Sequence, residues 1–443
     1  MTTEGNMDYF RREMQQLLGD EYPAFEQASQ LPLFRALRLN TARTDEEELR
    51  SCGFALESRT PFDEDTFYLK SEDKLGNHPF HFAGLYYLQE PSPTMVVNAL
   101  DVKPGQLVAD LCAAPGGKST QILNRLQGEG LLWSNEYEAS RARILLSNIE
   151  RWGDGNYIIT NSDTAFLADR LEGLFDRILV DAPCSGASMF RKFPQSVKDY
   201  TPGNVEACSR RQLMILDNAW RMLKKDGLLV YSTCTYNLQE NEDTVAAFLN
   251  RHPDMELIDT GLSCGRRGFS VPGVDGQLVT RVFPMDGGEG HFVARMIRRS
   301  ETSASRLTYL PYSANRTVDE FMKDNLTEKL PYTVIRDEVF VSEKPLIRYD
   351  GRIIRQGVLL GTLEKGRLVP HHHFFVSNFG RYFRQVCNIE DEELISRYLH
   401  GESLRIPGHK GFTAIAYKNH LLGFGKGDGV QIKNHFPKGL RLM

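Results

Sequence analysis

The chain has 443 residues, 41 % hydrophobic and 25 % charged, with a net charge of −5. That length exceeds one ordinary domain and predicts two to four units around at least one sizeable core. No apolar run approaches the roughly 18 residues that a membrane span needs, and the opening stretch MTTEGNMDYFRREM has no apolar core behind a basic start, so membrane insertion and export are not expected and a cytoplasmic location is. The seven cysteines (52, 112, 184, 208, 234, 264 and 387) are odd in number and lack a C-x-x-C pair, which argues against a disulfide framework and a zinc ribbon. The small net charge hides an asymmetry. Residues 1–50 hold six Lys/Arg against ten Asp/Glu, whereas residues 401–443 hold seven Lys/Arg against only Glu402 and Asp428, so the basic tail is where a polyanion would dock.

In chain order, residues 1–82 read as a small α+β unit. From 83 to 300, short apolar runs alternate with amphipathic helical stretches, the pattern of a parallel sheet covered on both faces. The strands are expected at 107–111, 131–136, 157–161, 177–181, 228–233, 255–259 and 291–297, with helices at 118–126, 139–151, 205–223 and 240–250. This is a doubly wound, Rossmann-like α/β core of seven strands. The Ser-, Thr- and Pro-containing stretch 301–316 reads as a linker opening a middle accessory unit that runs to 385. Residues 386–443, rich in Gly and strand formers, read as a compact β-barrel.

The stretch Val108-Ala-Asp-Leu-Cys-Ala-Ala-Pro-Gly-Gly-Lys118 follows a strand and opens a helix, so a cofactor can approach its backbone over Cys112, Ala113, Ala114, Pro115, Gly116, Gly117 and Lys118. It lacks both the Walker and the G-x-G-x-x-G patterns, which favours a cofactor without phosphates. Glu136 ends the next strand, where a carboxylate can take both ribose hydroxyls, and Asp163 follows the third, where an adenine amine would lie. Taken alone, Glu136 is equally a surface glutamate and Asp163 a turn or N-cap residue. Together with the loop they form one crevice that suits S-adenosylmethionine.

Two thiols end neighbouring strands, in Asp181-Ala-Pro-Cys184 and in Ser232-Thr-Cys234-Thr235. A free cysteine is usually a small buried hydrophobe, and position at the cofactor edge is what separates Cys184 and Cys234 from the other five. These motifs, with Cys112-Ala-Ala-Pro-Gly-Gly-Lys118, resemble the Sun (Nol/Nop) RNA cytosine-5 methyltransferases. The resemblance extends to Tyr87-Leu-Gln-Glu-Pro-Ser92, Gln239-Glu-Asn-Glu242 and Gly287-Gly-Glu-Gly-His-Phe-Val293. At the C-terminus, Gly423-Phe-Gly-Lys426 and Lys433-Asn-His-Phe-Pro-Lys-Gly-Leu-Arg441 resemble the PUA-like RNA-binding module of the bacterial RsmF subgroup.

The resemblance implies methylation of carbon 5 of cytosine, with Cys234 as the nucleophile that adds to carbon 6 and Cys184 assisting release. It also implies Asp181 as the group that reads the base at ring nitrogen 3 and the exocyclic amine, able to neutralise ring charge if protonated. A helix N-terminus beside Cys234 is expected to help its ionisation. Lys118 resembles the family's motif lysine, with a purely structural helix-start role as the alternative. The implied partner is small-subunit ribosomal RNA or an assembling small subunit, met by a monomer; transfer RNA is the alternative, and an idle RNA-binding assembly factor the rival of another class. A DNA cytosine-5 methyltransferase, which takes the Pro-Cys thiol as nucleophile, is disfavoured by the second cysteine. Phe34-Arg-Ala-Leu-Arg-Leu-Asn-Thr41 resembles the family's N-terminal signature, with Arg38 and Asn40 as backbone contacts to RNA, joined by Lys426, Lys433, Lys438 and Arg441. His371, His372 and His373 are consecutive, and consecutive residues rarely converge on one ion without further ligands nearby, so no metal is expected.

Overall fold

The computed structural model describes residues 3–70 and 73–442. Its centre is a ten-stranded mixed sheet. Seven of the strands are β1 (Leu107–Asp110), β2 (Leu131–Asn135), β3 (Tyr157–Thr160), β4 (Phe175–Asp181), β5 (Leu223–Thr233), β6 (Met255–Ile258) and β7 (His291–Arg298), close to the expected positions. They lie in the order β3-β2-β1-β4-β5-β7-β6, parallel except for β7, which runs antiparallel to β5 and β6. The order reverses at β1, so the crevice at the carboxyl ends of β1 and β4 is the place where such sheets take ligands.

The helices between these strands are α1 (Gly117–Leu126), α2 (Ala139–Trp152), α3 (Pro202–Met222) and α4 (Glu242–Arg251). The third begins three residues before its apolar pattern does, because Thr201 accepts a hydrogen bond from Asn204 N (3.2 Å) and Pro202 takes the first helical position. Both faces of the sheet are closed by apolar side chains: Trp133, Ile178, Leu216, Leu229 and Phe248 on one, Val108, Ile122, Leu145, Ile149 and Val230 on the other.

Three further strands lengthen the sheet. Thr280–Val282 and Arg266–Arg267 extend it beyond β7, and Ile353–Gln356 pairs antiparallel with β3. The last belongs to the middle accessory stretch, which is thereby built into the core; Tyr349 also sets its ring 5.0 Å from that of Trp133. The rest of that stretch forms a four-stranded antiparallel sheet (332–370). The C-terminal stretch is a four-stranded sheet over 386–434 with the helix Glu392–Leu399.

The N-terminal sheet is Ala36–Leu39 between Thr66–Tyr68 and Tyr86–Gln89, so its third strand lies beyond residue 82. It shares an apolar cluster with the C-terminal sheet, in which Phe80 and Tyr86 meet Tyr417 and Leu422, and Glu48 pairs with His420 Nε2 at 2.7 Å. The first two helices, Thr3–Leu18 and Tyr22–Ser29, pack elsewhere: Phe10, Met14 and Phe25 sit against Phe190, Tyr200, Tyr236 and Phe283 beside the carboxyl edge of the sheet.

Arg38 and Asn40 do not face RNA, which corrects the expectation from the N-terminal signature. Each is 1 % exposed. Arg38 donates to Gly117 O (3.0 Å) and Thr120 Oγ1 (2.6 Å) and lies 4.9 Å from the Trp152 ring, tying the N-terminal sheet to α1 and α2. Asn40 donates to the carbonyls of Gly84 and Trp152 at 2.8 and 3.1 Å. An alternating strand puts both residues on one face, and here that face is the one buried against the core. Arg38→Ala is therefore expected to lower unfolding free energy by about 2–4 kcal/mol through lost packing and hydrogen bonds, measured by denaturant titration, whereas a side chain serving only RNA would leave the transition unmoved.

Candidate active site

The parallel register pairs Asp181 with Ser232, so β4 and β5 end level and the loops after them face each other. Across that gap the sulfurs of Cys184 and Cys234 stand 3.4 Å apart. Asp181 is held from two sides: Lys118 Nζ donates to Oδ2 at 2.8 Å, and Ser232 Oγ donates to Oδ1 at 2.7 Å. His291, at the start of β7, places Nε2 3.6 Å from the same Oδ1.

These contacts set the protonation states. Burial alone would raise the Asp181 carboxyl, but the Lys118 ammonium and the neighbouring His291 hold it well below the usual carboxylate range. Asp181 is thus a carboxylate in the free protein, and the condition that it be protonated to neutralise ring charge is not met there. Burial opposes the Lys118 charge, yet Asp181 keeps its pKa above the ordinary lysine value. The Cys184 thiol is pushed well up by its hydrogen bond to Cys234 and by burial. Cys234 is lowered because Cys184 donates to it and Lys118 is close, against the opposing effects of burial and Asp181. Of the pair, Cys234 is therefore the thiol that ionises more readily and Cys184 the one that holds its proton more tightly. The expected helix does not begin at Cys234: α4 starts at Glu242, after residues 235–241.

That intervening loop is a buried polar brace. Glu240, 0 % exposed, accepts from Ser185 N (2.9 Å), Asn237 Nδ2 (2.7 Å) and Gln212 Nε2 (2.9 Å), and from Ser185 Oγ, so one carboxylate holds the segment after Cys184 to the segment after Cys234. Ser188 donates to Cys234 O through N and Oγ, at 3.2 and 2.8 Å. Asn241 takes Thr233 Oγ1 at 2.5 Å and donates to Thr235 O at 3.0 Å. Glu242 and Arg281 form a buried ion pair below the loop, and Arg281 also donates to Tyr236 O at 2.6 Å. Sequence reasoning marked Gln239–Glu242 as a motif but assigned none of these roles; the available signal was a cluster of carboxylates and amides at the entry to an otherwise apolar helix.

Cys112, Ala113, Ala114, Pro115, Gly117 and Lys118 line one cavity, which Asp181 and Asp110 also line. Gly116 caps α1 at φ +114°, a backbone conformation that L side chains rarely adopt, and a Cβ on Gly117 would stand 2.9 Å from Gln89 Oε1. Asp110 was not singled out beforehand. It is 1 % exposed, its Oδ2 accepts from Ser119 Oγ at 2.7 Å, and its Oδ1 has no hydrogen-bond partner among the described residues. Burial pushes its carboxyl up to about 7. An unpartnered buried carboxylate oxygen beside a glycine-walled cavity matches a ligand that brings an ammonium, as the amino-acid end of S-adenosylmethionine does. Cys112 is half-buried, its pKa raised chiefly by desolvation, and it packs as a thiol.

Glu136 and Asp163 do not line this cavity. Glu136, at the end of β2, accepts from Ala114 N (3.3 Å) and Glu138 N (3.0 Å), bracing the loop from the side. Asp163 is exposed one strand farther out and caps a short helix through Ala165 N at 2.7 Å. Both still end successive strands along the crevice. Of the C-terminal cations, Lys426 and Lys433 are exposed cross-strand partners and Lys438 is exposed, whereas Arg441 turns back to Phe436 O at 3.3 and 3.2 Å. The three histidines are structural. His371 Nδ1 accepts from His373 N and His373 Nδ1 from Leu359 N, each at 3.2 Å, and His372 stacks edge-on to Phe436. No metal-ligating cluster occurs among the described residues, and none of their helices is long and apolar enough to cross a membrane.

Three family models match the chain in succession: the N-terminal domain of 16S rRNA methyltransferase RsmF over residues 8–91, 16S rRNA methyltransferase RsmB/F over 97–297, and the methyltransferase RsmF PUA domain over 385–442. The ribosomal RNA small subunit methyltransferase F of Shewanella amazonensis is 31 % identical over 440 residues, covering 93 % of this chain and 92 % of that protein. The protein of the same name from Erwinia tasmaniensis is 35 % identical over 305 residues, 65 % of this chain and 62 % of that one. Among solved structures, a methyltransferase homologue from Pyrococcus horikoshii is 29 % identical with a TM-score of 0.58, covering 66 % of this chain and 95 % of that one. NSun6 from the same organism shares the fold, at 21 % identity and a TM-score of 0.57 over 66 % of this chain and 98 % of that one. Identity along nearly the whole of both proteins, with three models that follow one another along the sequence, makes this chain a member of the ribosomal RNA small subunit methyltransferase F family.

Proposed function

We propose that the protein methylates carbon 5 of cytosine in small-subunit ribosomal RNA, as a cytoplasmic monomer, with S-adenosylmethionine as donor. The observation that carries the reading is the 3.4 Å approach of Cys184 and Cys234 beside the Asp181–Lys118 pair. The names of the relatives favour ribosomal over transfer RNA, and the retention of both thiols and Asp181 favours an enzyme over an idle assembly factor.

Carbon 5 of cytosine is a poor nucleophile until something adds to carbon 6, and a soft thiolate suits that addition. Cys234 is the sulfur already biased towards the anion, and it attacks carbon 6. Asp181, a carboxylate, reads the base by accepting from the exocyclic amine, and Lys118 faces the charge that builds on the ring. Asp110 would receive the ammonium of the donor and the Cys112–Gly117 backbone would wall its methionine end, while Glu136 and Asp163, at successive strand ends, would take the ribose hydroxyls and the adenine amine. S-adenosylmethionine supplies an electrophilic methyl group. Once Cys234 is bonded to carbon it no longer accepts the Cys184 proton as an anion, so the interaction that raised Cys184 disappears. Cys184 then gives up its own proton to solvent and, as the thiolate, takes the carbon 5 proton; the C5–H electron pair closes the C5=C6 double bond as the Cys234–carbon bond breaks and its electron pair returns to sulfur. A base inside a duplex cannot reach this crevice, so the target is unpaired or flipped out; exposed Lys426, Lys433 and Lys438 supply phosphate contacts.

Cys234→Ala is expected to lower methylation by more than about a thousandfold with donor binding retained; turnover near wild type would overturn the assignment. Cys184→Ala should accumulate a denaturant-resistant protein–RNA adduct, seen as a band shift under methylating conditions. Alkylation of Cys234 by iodoacetamide should rise with pH through an inflection below the ordinary thiol value. Because Cys184→Ala removes the S–H donor that favours the anion, the inflection should move to higher pH in that variant. Bisulfite sequencing of total RNA from a deletion strain would identify the cytosine.

A further inference from the structure

Eleven large hydrophobic side chains are exposed among the described residues, and three of them, Leu31, Leu33 and Phe193, lie on two segments that meet beside Lys192, a residue lining the catalytic cavity. Arg191 joins the two segments that carry them. It donates to Leu31 O and, at 2.9 Å, to Glu289 Oε2, whose other oxygen accepts from Phe34 N at 2.8 Å. Phe193, 44 % exposed, hangs from a turn tied to the nucleophile: its own N–H donates to Met189 O at 2.7 Å, and Ser188 donates twice to Cys234 O. The exposed Lys192 lines the cavity that contains Lys118 and Asp181 and lies 5.5 Å from the Phe193 ring.

A rigidly held, half-exposed aromatic ring beside an exposed lysine is the combination that binds unpaired nucleotides, the ring by stacking on a base and the ammonium by meeting a phosphate. We infer that Phe193 and Lys192 form a subsite for the nucleotide next to the target cytosine in single-stranded RNA. Leu31 and Leu33 continue the apolar lip on which that base rests. The inference rests on the proposed action on RNA and adds a specificity element to it, since the subsite holds the flanking strand while the crevice takes the extruded base.

The test measures initial rates of 5-methylcytosine formation against concentration of a naked small-subunit ribosomal RNA transcript. Phe193→Ala should raise KM about 5- to 100-fold, with the effect on KM rather than on kcat; Phe193→Tyr should restore most of the affinity. Lys192→Gln should raise KM and flatten the salt dependence of binding by about 0.7 in the log–log slope, the loss of one single-strand phosphate contact. If the wild-type protein forms no 5-methylcytosine, the functional reading itself fails and the subsite with it. If the wild type is active and Phe193→Ala keeps its KM for naked RNA, the subsite alone is overturned, including the case where that variant fails only on assembled subunits and the lip therefore meets a protein.

Discussion

The parallel pairing of β4 with β5 places Asp181 opposite Ser232, and the chemistry of the crevice follows from that register. Ending level, the two strands launch loops that bring Cys184 and Cys234 within 3.4 Å, with Ser232 Oγ on Asp181. A slip of one residue would turn every side chain at these ends to the opposite face of the sheet. The register is secured by the apolar strand interiors, where Ile178, Leu179, Val180, Leu229 and Val230 are fully buried, and above them by the Glu240 carboxylate that joins both loops.

The electrostatics of the site are a contest between one cation, Lys118, and the acidic groups around it. Lys118 stabilises Asp181 directly and Cys234 at longer range, while Asp181 and Glu240 oppose the thiolate. The decisive balance is between the two sulfurs, because a thiol donating to a thiolate favours one ionisation and penalises two. Asymmetry between chemically identical side chains thus arises from their surroundings. His291 adds a buried ring whose Nε2 stands 3.6 Å from Asp181 Oδ1; burial lowers its pKa and the Asp181 carboxylate opposes that shift. It leaves Asp181 with an adjustable neighbour on the side away from Lys118.

The accessory stretches act on this centre through packing. The first two helices brace the loop after Cys184 through Phe10 and Phe25, and Asn6 Nδ2 donates to the carbonyls of Val197 and Lys198 at 3.2 and 2.9 Å. The N- and C-terminal sheets share one apolar cluster, so the exposed lysines of the C-terminal sheet are held at a set distance from the core. A strand from the middle stretch closes the β3 edge, covering hydrogen-bonding groups that would otherwise be open to another chain.

The seven core strands, the cofactor loop and the two thiols were legible in the sequence because each is a local signal: a short apolar run, a glycine turn before a helix, a cysteine just past a strand. Arg38 and Asn40 were not, since a polar residue on a strand looks the same whether its face meets water or the Trp152 ring and backbone carbonyls. Nor was the short strand 353–356, whose pairing is made with residues nearly two hundred positions away, or the roles of Asp110, Glu240 and His291, which depend on partners that only the fold supplies. By itself the sequence determined which chemical groups exist and which local elements carry them, because propensity and periodicity act over a few residues. The tertiary structure alone decided how close the two strand-end cysteines come, which of them ionises more readily and which cations stay in water, because distance, burial and charge at a site are set by elements far apart in the chain.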